Sequence, residues 1–356
     1  MDEKLNRYRE QIDRLDDDLL KLLNQRATLA QQIGHIKGEE SVLRPEREAQ
    51  VLRRMAEANP GPLSGAGVMQ LFTEIMSQCR ALEAPLTVSY LGPQGTFSEA
   101  AMRKRFGHAA LDMSCDSFDD VFRAVESGRA SYGVVPVENS SEGMIGHNLD
   151  LLLQTENAKV CGEVMLSVHQ CFMSYQPDMA AVKFVYSHPQ SLGQCRNWLN
   201  ANLPHVERIS VFSNAVAARM ATERIHDSAA IAGRNAAELY GVPVLAENIE
   251  DDSRNTTRFL VIGNQDVAPS GKDKTSLVMS AANRPGAVHD LLTPLAKHGV
   301  SMTKLESRPA PSGMWEYVFF VDIEGHQQDE KVAAALAELK QVAAFVKVLG
   351  SYPAAV

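Results

Sequence analysis

Cysteine is scarce in this chain of 356 residues: Cys79, Cys115, Cys161, Cys171 and Cys195 are odd in number, scattered, and form no Cys-x-x-Cys. That excludes a disulfide framework and a patterned zinc site, and points to a reducing cytoplasm. No run of 18 apolar residues occurs, so nothing reads as spanning a bilayer. The start, MDEKLNRYRE, is too charged for the apolar part of a signal peptide. Basic residues are not in excess: the net charge of −9 argues against nucleic acid as the main partner, since phosphate binding needs a clustered basic surface. The histidines include no ligand-spaced pair, so no metal is expected. No Gly-x-Gly-x-x-Gly follows a strand; Gly65-Ala66-Gly67 sits at a helix start, and Gly271-Lys272 lacks the rest of a phosphate loop. No cofactor is therefore expected. Internal repeats and low-complexity tracts are absent as well.

What is present is a globular balance, 45% apolar and 22% charged, with length for about two to three domains. Residues 1–85 read as helical. Leu5, Tyr8, Ile12, Leu15, Leu19, Leu22, Arg26, Leu29, Ile33 and Ile36 step by three and four, a seam that needs a partner of similar length, most simply a second copy. A second helix opens at Arg44-Pro45 and runs to Ala58; a third follows Ser64 as N-cap. Over 86–265, short apolar runs such as Thr87–Leu91 and Ala229–Ala232 alternate with helical stretches, the pattern of an α/β domain with largely parallel sheet. Val267–Gly271 is a linker by composition. Residues 272–356 follow a strand, helix, strand, strand, helix, strand order, the ferredoxin-like arrangement. The expected fold is thus multidomain: an all-α bundle, a two-lobed α/β domain and an α+β domain.

Arg26 occupies a core position of the seam, where an unpartnered guanidinium is costly, so something anionic should meet it; a structural ion pair is the plainer explanation. Lys37 lies about 16 Å further on and about 20° round the helix, so both heads reach one object between them. Arg47 and Glu48 adjoin the apolar face of the second helix, and Glu83 continues the Phe72, Met76, Cys79 row of the third. Three cations then outnumber two carboxylates, which a small dicarboxylate would balance.

Here the chain resembles the all-helical chorismate mutases. The resemblance implies that Arg9, Arg26, Lys37, Arg47 and Glu48 are substrate contacts, with Glu83 where bacterial members often have glutamine and Cys79 where some have serine. Arg9 is about 25 Å from Arg26 along the helix, too far to share a ligand within one chain. It must come from a partner, which implies a homodimer or larger homo-oligomer. The chorismate to prephenate rearrangement needs no nucleophile: arginine forks hold the substrate compact, while Lys37 and a protonated Glu83 stabilise charge on the breaking ether oxygen.

In the middle domain, Gly92-Pro93-Gln94-Gly95-Thr96-Phe97-Ser98 follows a strand and opens a helix whose amides suit an anion. Pro136–Ser141 is a second polar loop after a strand, Thr256–Phe259 opens the last strand, and Tyr186–Cys195 and Asn255–Phe259 are further motifs. Each alone is an ordinary turn or cap. Together they resemble prephenate dehydratase, with an implied cleft between two lobes like that of periplasmic ligand-binding proteins. The family ties catalysis to Thr257 and places Thr96, Asn139, Ser140 and Gln190 in the cleft motifs. Arg258 either holds a carboxylate or is structural. Thr257 is expected to donate a hydrogen bond to the departing hydroxyl as prephenate becomes phenylpyruvate. His188 reads as a loop position.

In the last domain, Asn283-Arg284-Pro285-Gly286-Ala287-Val288 and Glu306-Ser307-Arg308-Pro309 match the phenylalanine-binding motifs of ACT regulatory domains, with Val288 where leucine is usual. The resemblance implies feedback inhibition by phenylalanine. The whole pattern resembles the bifunctional chorismate mutase/prephenate dehydratases. A non-enzymatic amino-acid sensor and a dehydratase with a vestigial mutase domain are the alternatives; the charge set and the Thr257 motif argue against the first.

Overall fold

The computed structural model describes residues 2–37, 43–281, 284–309 and 317–355; Asn283 and the side chain of Lys37 lie outside the described residues. The first unit contains α1 (Asp2–Lys37), α2 (Pro45–Ala58) and α3 (Gly65–Ala81). Pro45 sits in the first turn of α2, where its missing N–H costs nothing. Ser64 Oγ accepts from the Gly67 amide at 3.0 Å and caps α3. The end of α1 crosses α3 closely, because a Cβ on Gly34 would lie 3.2 Å from the Glu83 side chain. Further toward its start α1 is bare. Its apolar seam is exposed, from 47% at Leu5 to 86% at Ile36, and Arg26 within it is half-buried, not a core residue of the single chain.

Two α/β lobes follow. The first contains β1 (Thr87–Leu91), α4 (Phe97–Phe106), β2 (Leu111–Cys115), α5 (Phe118–Glu126), β3 (Tyr132–Asn139), β4 (Gly143–Met144), α6 (Gly146–Gln154) and β5 (Lys159–Ser167). The chain then crosses to the second lobe: β6 (Cys171–Met173), β7 (Phe184–Ser187), α7 (Pro189–Gln194), α8 (Arg196–Asn202), β8 (Glu207–Ser210), α9 (Asn214–Glu223), β9 (Ser228–Ala232), α10 (Arg234–Tyr240) and β10 (Val244–Ala246). It returns as β11 (Thr256–Gly263), giving a first sheet of order β2-β1-β3-β11-β5 and a second of order β10-β6-β9-β7-β8. The sheets are mixed, not largely parallel as expected. The returning β11 runs antiparallel to both β3 and β5, and β6 antiparallel to β9. In the second lobe, Ala215, Ala217, Ala218 and Ala221 of α9 are fully buried, small enough to seat the helix close against Ala230 and Ala232.

The third unit runs β12 (Asp273–Ser280), α11 (Ala287–Lys297), β13 (Met302–Pro309), β14 (Tyr317–Glu324), α12 (Glu330–Val342) and β15 (Phe345–Pro353), with sheet order β13-β14-β12-β15. It is not tethered loosely. Val278, Val318, Phe320, Leu349 and Tyr352 share one apolar core with Val160, Leu260 and Ile262 of the first lobe. A Cβ on Gly350 would strike the Val160 carbonyl oxygen at 2.1 Å, which is how near β15 lies to β5. The linker of sequence composition is packed down too. Arg53 of α2 donates to Ser270 Oγ at 2.6 Å, and His326 Nε2 lies 2.9 Å from the Val267 carbonyl.

Candidate active sites

Between the lobes lies a cavity of about 310 Å³. Thr96, Asn139 and Thr257 line it from the first lobe, Gln190, Ser191 and Asn214 from the second, and Val168 and Gln170 from the crossing segment. The first turns of α4 and α9, capped by Thr96 and Ser213, open onto it, and no Asp, Glu, Lys or Arg is among its lining residues. Helix N-termini carry partial positive charge, so the cavity suits an anion without a fixed cation in the wall.

Thr257 and Asn139 are cross-strand partners on β11 and β3. Asn139 Oδ1 accepts from the Ser141 amide at 3.0 Å, which fixes the side-chain amide's orientation. Its Nδ2 then donates to Thr257 Oγ1 at 2.9 Å and to Asn255 Oδ1 at 3.0 Å. A hydroxyl has one proton and two lone pairs. With one lone pair occupied by Asn139, the Thr257 proton is left to donate toward the cavity. The threonine itself is only 8% exposed, so that donor is shielded from bulk water.

The other expected cleft residues divide. Gln190 lines the cavity. Thr96 also lines it, but its hydroxyl is committed: it donates to the Leu91 carbonyl at 3.2 Å and accepts from the Glu99 amide. Glu99 in turn accepts the Gly95 amide at 2.6 Å, so that N–H of the glycine turn is taken by a capping carboxylate and not left for a ligand. Ser140 is exposed and outside the lining; its Oγ accepts from the Thr256 amide at 3.0 Å and fastens β3 to β11.

Arg258 is also misplaced for substrate. Consecutive strand residues face opposite sides, so Arg258 points away from the cavity and is 7% exposed. Its Nε donates to Glu163 at 2.9 Å, its Nη1 to Asp322 at 2.5 Å and its Nη2 to Tyr352 Oη at 3.0 Å. Burial alone would lower its pKa; the Tyr352 hydroxyl oxygen and the carboxylates of Asp322 and Glu163 around it outweigh that and raise it above the usual arginine value. Of the two roles open to Arg258, these contacts favour the structural one.

Gln170 and Asn214 stand outside the sequence motifs, and Ser191 lies within Tyr186–Cys195 without being singled out there. Gln170 is 1% exposed and donates to Ser191 Oγ at 3.0 Å, while Asn214 Nδ2 donates to the same oxygen at 2.9 Å. The one available signal was a glutamine set between the apolar residues of two strands. His188, read as a loop position, lines the cavity and caps α7, its Nδ1 accepting from the Gln190 amide at 3.4 Å. Burial holds its pKa below the ordinary imidazole value, with the charge of Glu142 opposing.

In the helical unit the expected constellation is only partly assembled. Arg9 and Arg47 are exposed, Arg26 and Glu83 half-buried and Cys79 buried. Arg26 meets no carboxylate among the described residues. Glu48 turns away: it is buried between Arg80, with which it forms an ion pair, and Arg105 of α4, whose Nη1 is 2.8 Å from Oε2. The expected substrate contact is therefore a bolt between the first two units. In the third unit, Gly286 takes the left-handed conformation (φ 80°) that glycine allows and starts α11, with Ala287 half-buried and Val288 exposed beside it. Glu306 is half-buried and Ser307 exposed on β13. Arg308 is held by both oxygens of Asp150 on α6, at 3.1 and 2.8 Å, and is not an open ligand contact.

Comparison with known proteins separates the same units. Family models match over residues 8–84 (chorismate mutase type II), 88–267 (prephenate dehydratase) and 275–341 (ACT domain). The bifunctional chorismate mutase/prephenate dehydratase of Neisseria gonorrhoeae is 52% identical over 358 residues, covering 100% of this chain and 99% of that protein. The protein of the same description from Stutzerimonas stutzeri is 48% identical, covering 99% of each. Among solved structures, prephenate dehydratase from Arthrobacter aurescens in complex with L-Phe superposes with a TM-score of 0.70 at 31% identity, covering 75% of this chain and 90% of that one. The chain belongs to the bifunctional chorismate mutase/prephenate dehydratase family and ends in an ACT domain.

Proposed function

We propose that this enzyme runs two successive reactions, the first in a site shared by two copies of the chain and the second within one copy. In the cleft, prephenate lies with its carboxylates toward the first turns of α4 and α9. The bond to the ring carboxylate breaks and releases carbon dioxide, its electron pair enters the ring, and the ring hydroxyl departs with the pair of its C–O bond, leaving as water once protonated. Thr257 assists by donating a hydrogen bond to that oxygen. Aromatisation to phenylpyruvate supplies the drive. The observation that carries this reading is the Asn139–Thr257 hydrogen bond, since it leaves the hydroxyl a donor on the cavity side.

In the helical unit, Arg26 and Arg47 of one copy and Arg9 of another hold the carboxylates of chorismate, while Lys37 and Glu83 attend the ether oxygen. The bare seam of α1 supports a homodimer. Phenylalanine binds the ACT domain around Gly286, Ala287, Val288, Glu306 and Ser307, together with Asn283, and lowers dehydratase turnover. Five free cysteines support a cytoplasmic setting.

One assay tests the sequence of reactions: the purified chain is given chorismate and the absorbance of phenylpyruvate is followed. Accumulation of prephenate alone overturns the cleft assignment. Conversion of supplied prephenate without consumption of chorismate overturns the mutase assignment. A dehydratase indifferent to millimolar phenylalanine removes the feedback.

A further inference from the structure

Two cross-strand pairs meet at the contact between the first lobe and the ACT domain. On the dehydratase sheet Glu138 faces Arg258 across β3 and β11; on the ACT sheet Lys304 faces Asp322 across β13 and β14. Glu138 forms an ion pair with Lys304, and Arg258 Nη1 donates to Asp322 Oδ2 at 2.5 Å. The four charges alternate in sign around a square. Glu138 and Arg258 are also the immediate chain neighbours of Asn139 and Thr257, which are themselves cross-strand partners and hydrogen-bonded to each other. Side chains alternate along a strand, so one face of this two-residue step carries the cleft groups and the other carries the charges. The register of β11 against β3 shifts between Arg258 and Phe259, so the ladder alone holds this segment less firmly than a regular pair would.

We propose that Lys304 and Asp322 clamp Glu138 and Arg258, and that these act as positioning residues setting the Asn139–Thr257 pair for dehydration. The inference rests on the reading of Thr257 given above. It deepens the regulatory reading, because Lys304 lies two residues before Glu306 on the strand assigned to phenylalanine, so a displacement of β13 reaches Glu138 directly.

The Arg258 side of the clamp is deeply buried, and removing a partner there leaves an unpaired charge that destabilises the fold. The Lys304–Glu138 side is more open, with side chains 17% and 39% exposed, and is the side to test. Dehydratase kcat and KM for prephenate are measured on the full chain for Lys304→Met, Glu138→Gln, the double variant, Lys304→Arg and Thr257→Ala, with melting temperature and mutase rate in parallel. Each single change is expected to lower kcat about tenfold with KM within about twofold, since misplacing a catalytic group by about 1 Å can cost about 100-fold. The double variant is expected to be no slower than the worse single, because both remove one contact. Lys304→Arg keeps the charge and should hold kcat near the parent value. Singles that leave kcat unchanged, or a double variant slowed by the product of the two effects, overturn the clamp while the Thr257 reading stands. A Thr257→Ala variant with normal turnover overturns that reading, and the positioning role falls with it.

Discussion

The two reaction centres differ in how much of each one chain encloses. The cleft takes both walls from the same polypeptide, because the chain leaves the first lobe after β5 and re-enters it as β11, and its polar side chains largely satisfy one another. The helical unit has no such return. At about 1.5 Å per residue α1 is about 54 Å long, whereas α2 and α3 are about 21 and 26 Å. Neither can cover its seam, and Arg26 is left without a carboxylate among the described residues. A cleft closed by chain topology belongs to one molecule, while a site laid along an over-long helix belongs to an assembly.

The sharpest way to break that comparison is Thr257→Ala. Dehydratase turnover is expected to fall about 100-fold to 10,000-fold, the usual range for a positioned proton donor, with the mutase rate and the melting temperature unchanged. A parallel loss of mutase activity would show that the centres are not independent. The next largest effect lies in the other centre. Arg9→Ala and Arg26→Ala each abolish most mutase activity when assayed alone. Mixed in equal amounts and allowed to exchange subunits, they should regain about a quarter of the parent rate, because half of the dimers are hybrids and each hybrid holds one intact site. No recovery on mixing would place Arg9 and Arg26 in the same site of one chain.

How far these centres could be read beforehand depends on the range of the contacts. The α1 seam is local, a period of three and four, and its length alone signalled a missing partner. Asn139 ends β3, Thr257 opens β11 and Gln190 sits in the first turn of α7, so all three stand at the polar ends of elements that the sequence marks. Arg258 is adjacent to Thr257 in sequence, but strand alternation sends neighbours to opposite faces. Its partners Glu163 and Asp322 come from β5 and β14, and nothing in their own surroundings marks them. Glu48 misled in the same way. Its helical position suits a site along α1, but Arg80 and Arg105, separated from it by 32 and 57 residues, meet it instead.

A smaller effect sharpens the chemistry of the shared centre. Glu83 is assigned to hydrogen-bond the ether oxygen, which it can do only while it carries a proton. Mutase rate should then decline as pH rises, and Glu83→Gln, which supplies a permanent donor, should flatten the profile. A parent enzyme with a level mutase profile would remove this role from Glu83. On the alkaline side of neutrality the dehydratase rate serves as the internal control, since the cleft lining holds no carboxylate.

The smallest expected effect is the acid sensitivity of the cleft, which arises at His188. Neutral Nδ1 accepts from the Gln190 amide and caps α7; a protonated ring has no acceptor to offer there. Burial places the folded-state pKa below the ordinary imidazole value, so the unfolded chain binds this proton first as the pH falls. Stability contributed by the neutral ring is therefore present above about pH 6.5 and is lost on acidification toward the lower folded-state value. His188→Asn keeps a capping side chain that does not titrate. Its melting temperature should fall less than the parent's between pH 7 and pH 5, and its dehydratase rate should keep more of its neutral-pH value while the mutase rates of the two proteins stay alike. Equal acid losses in both proteins would move the sensitivity away from this helix start, to a group outside the cleft.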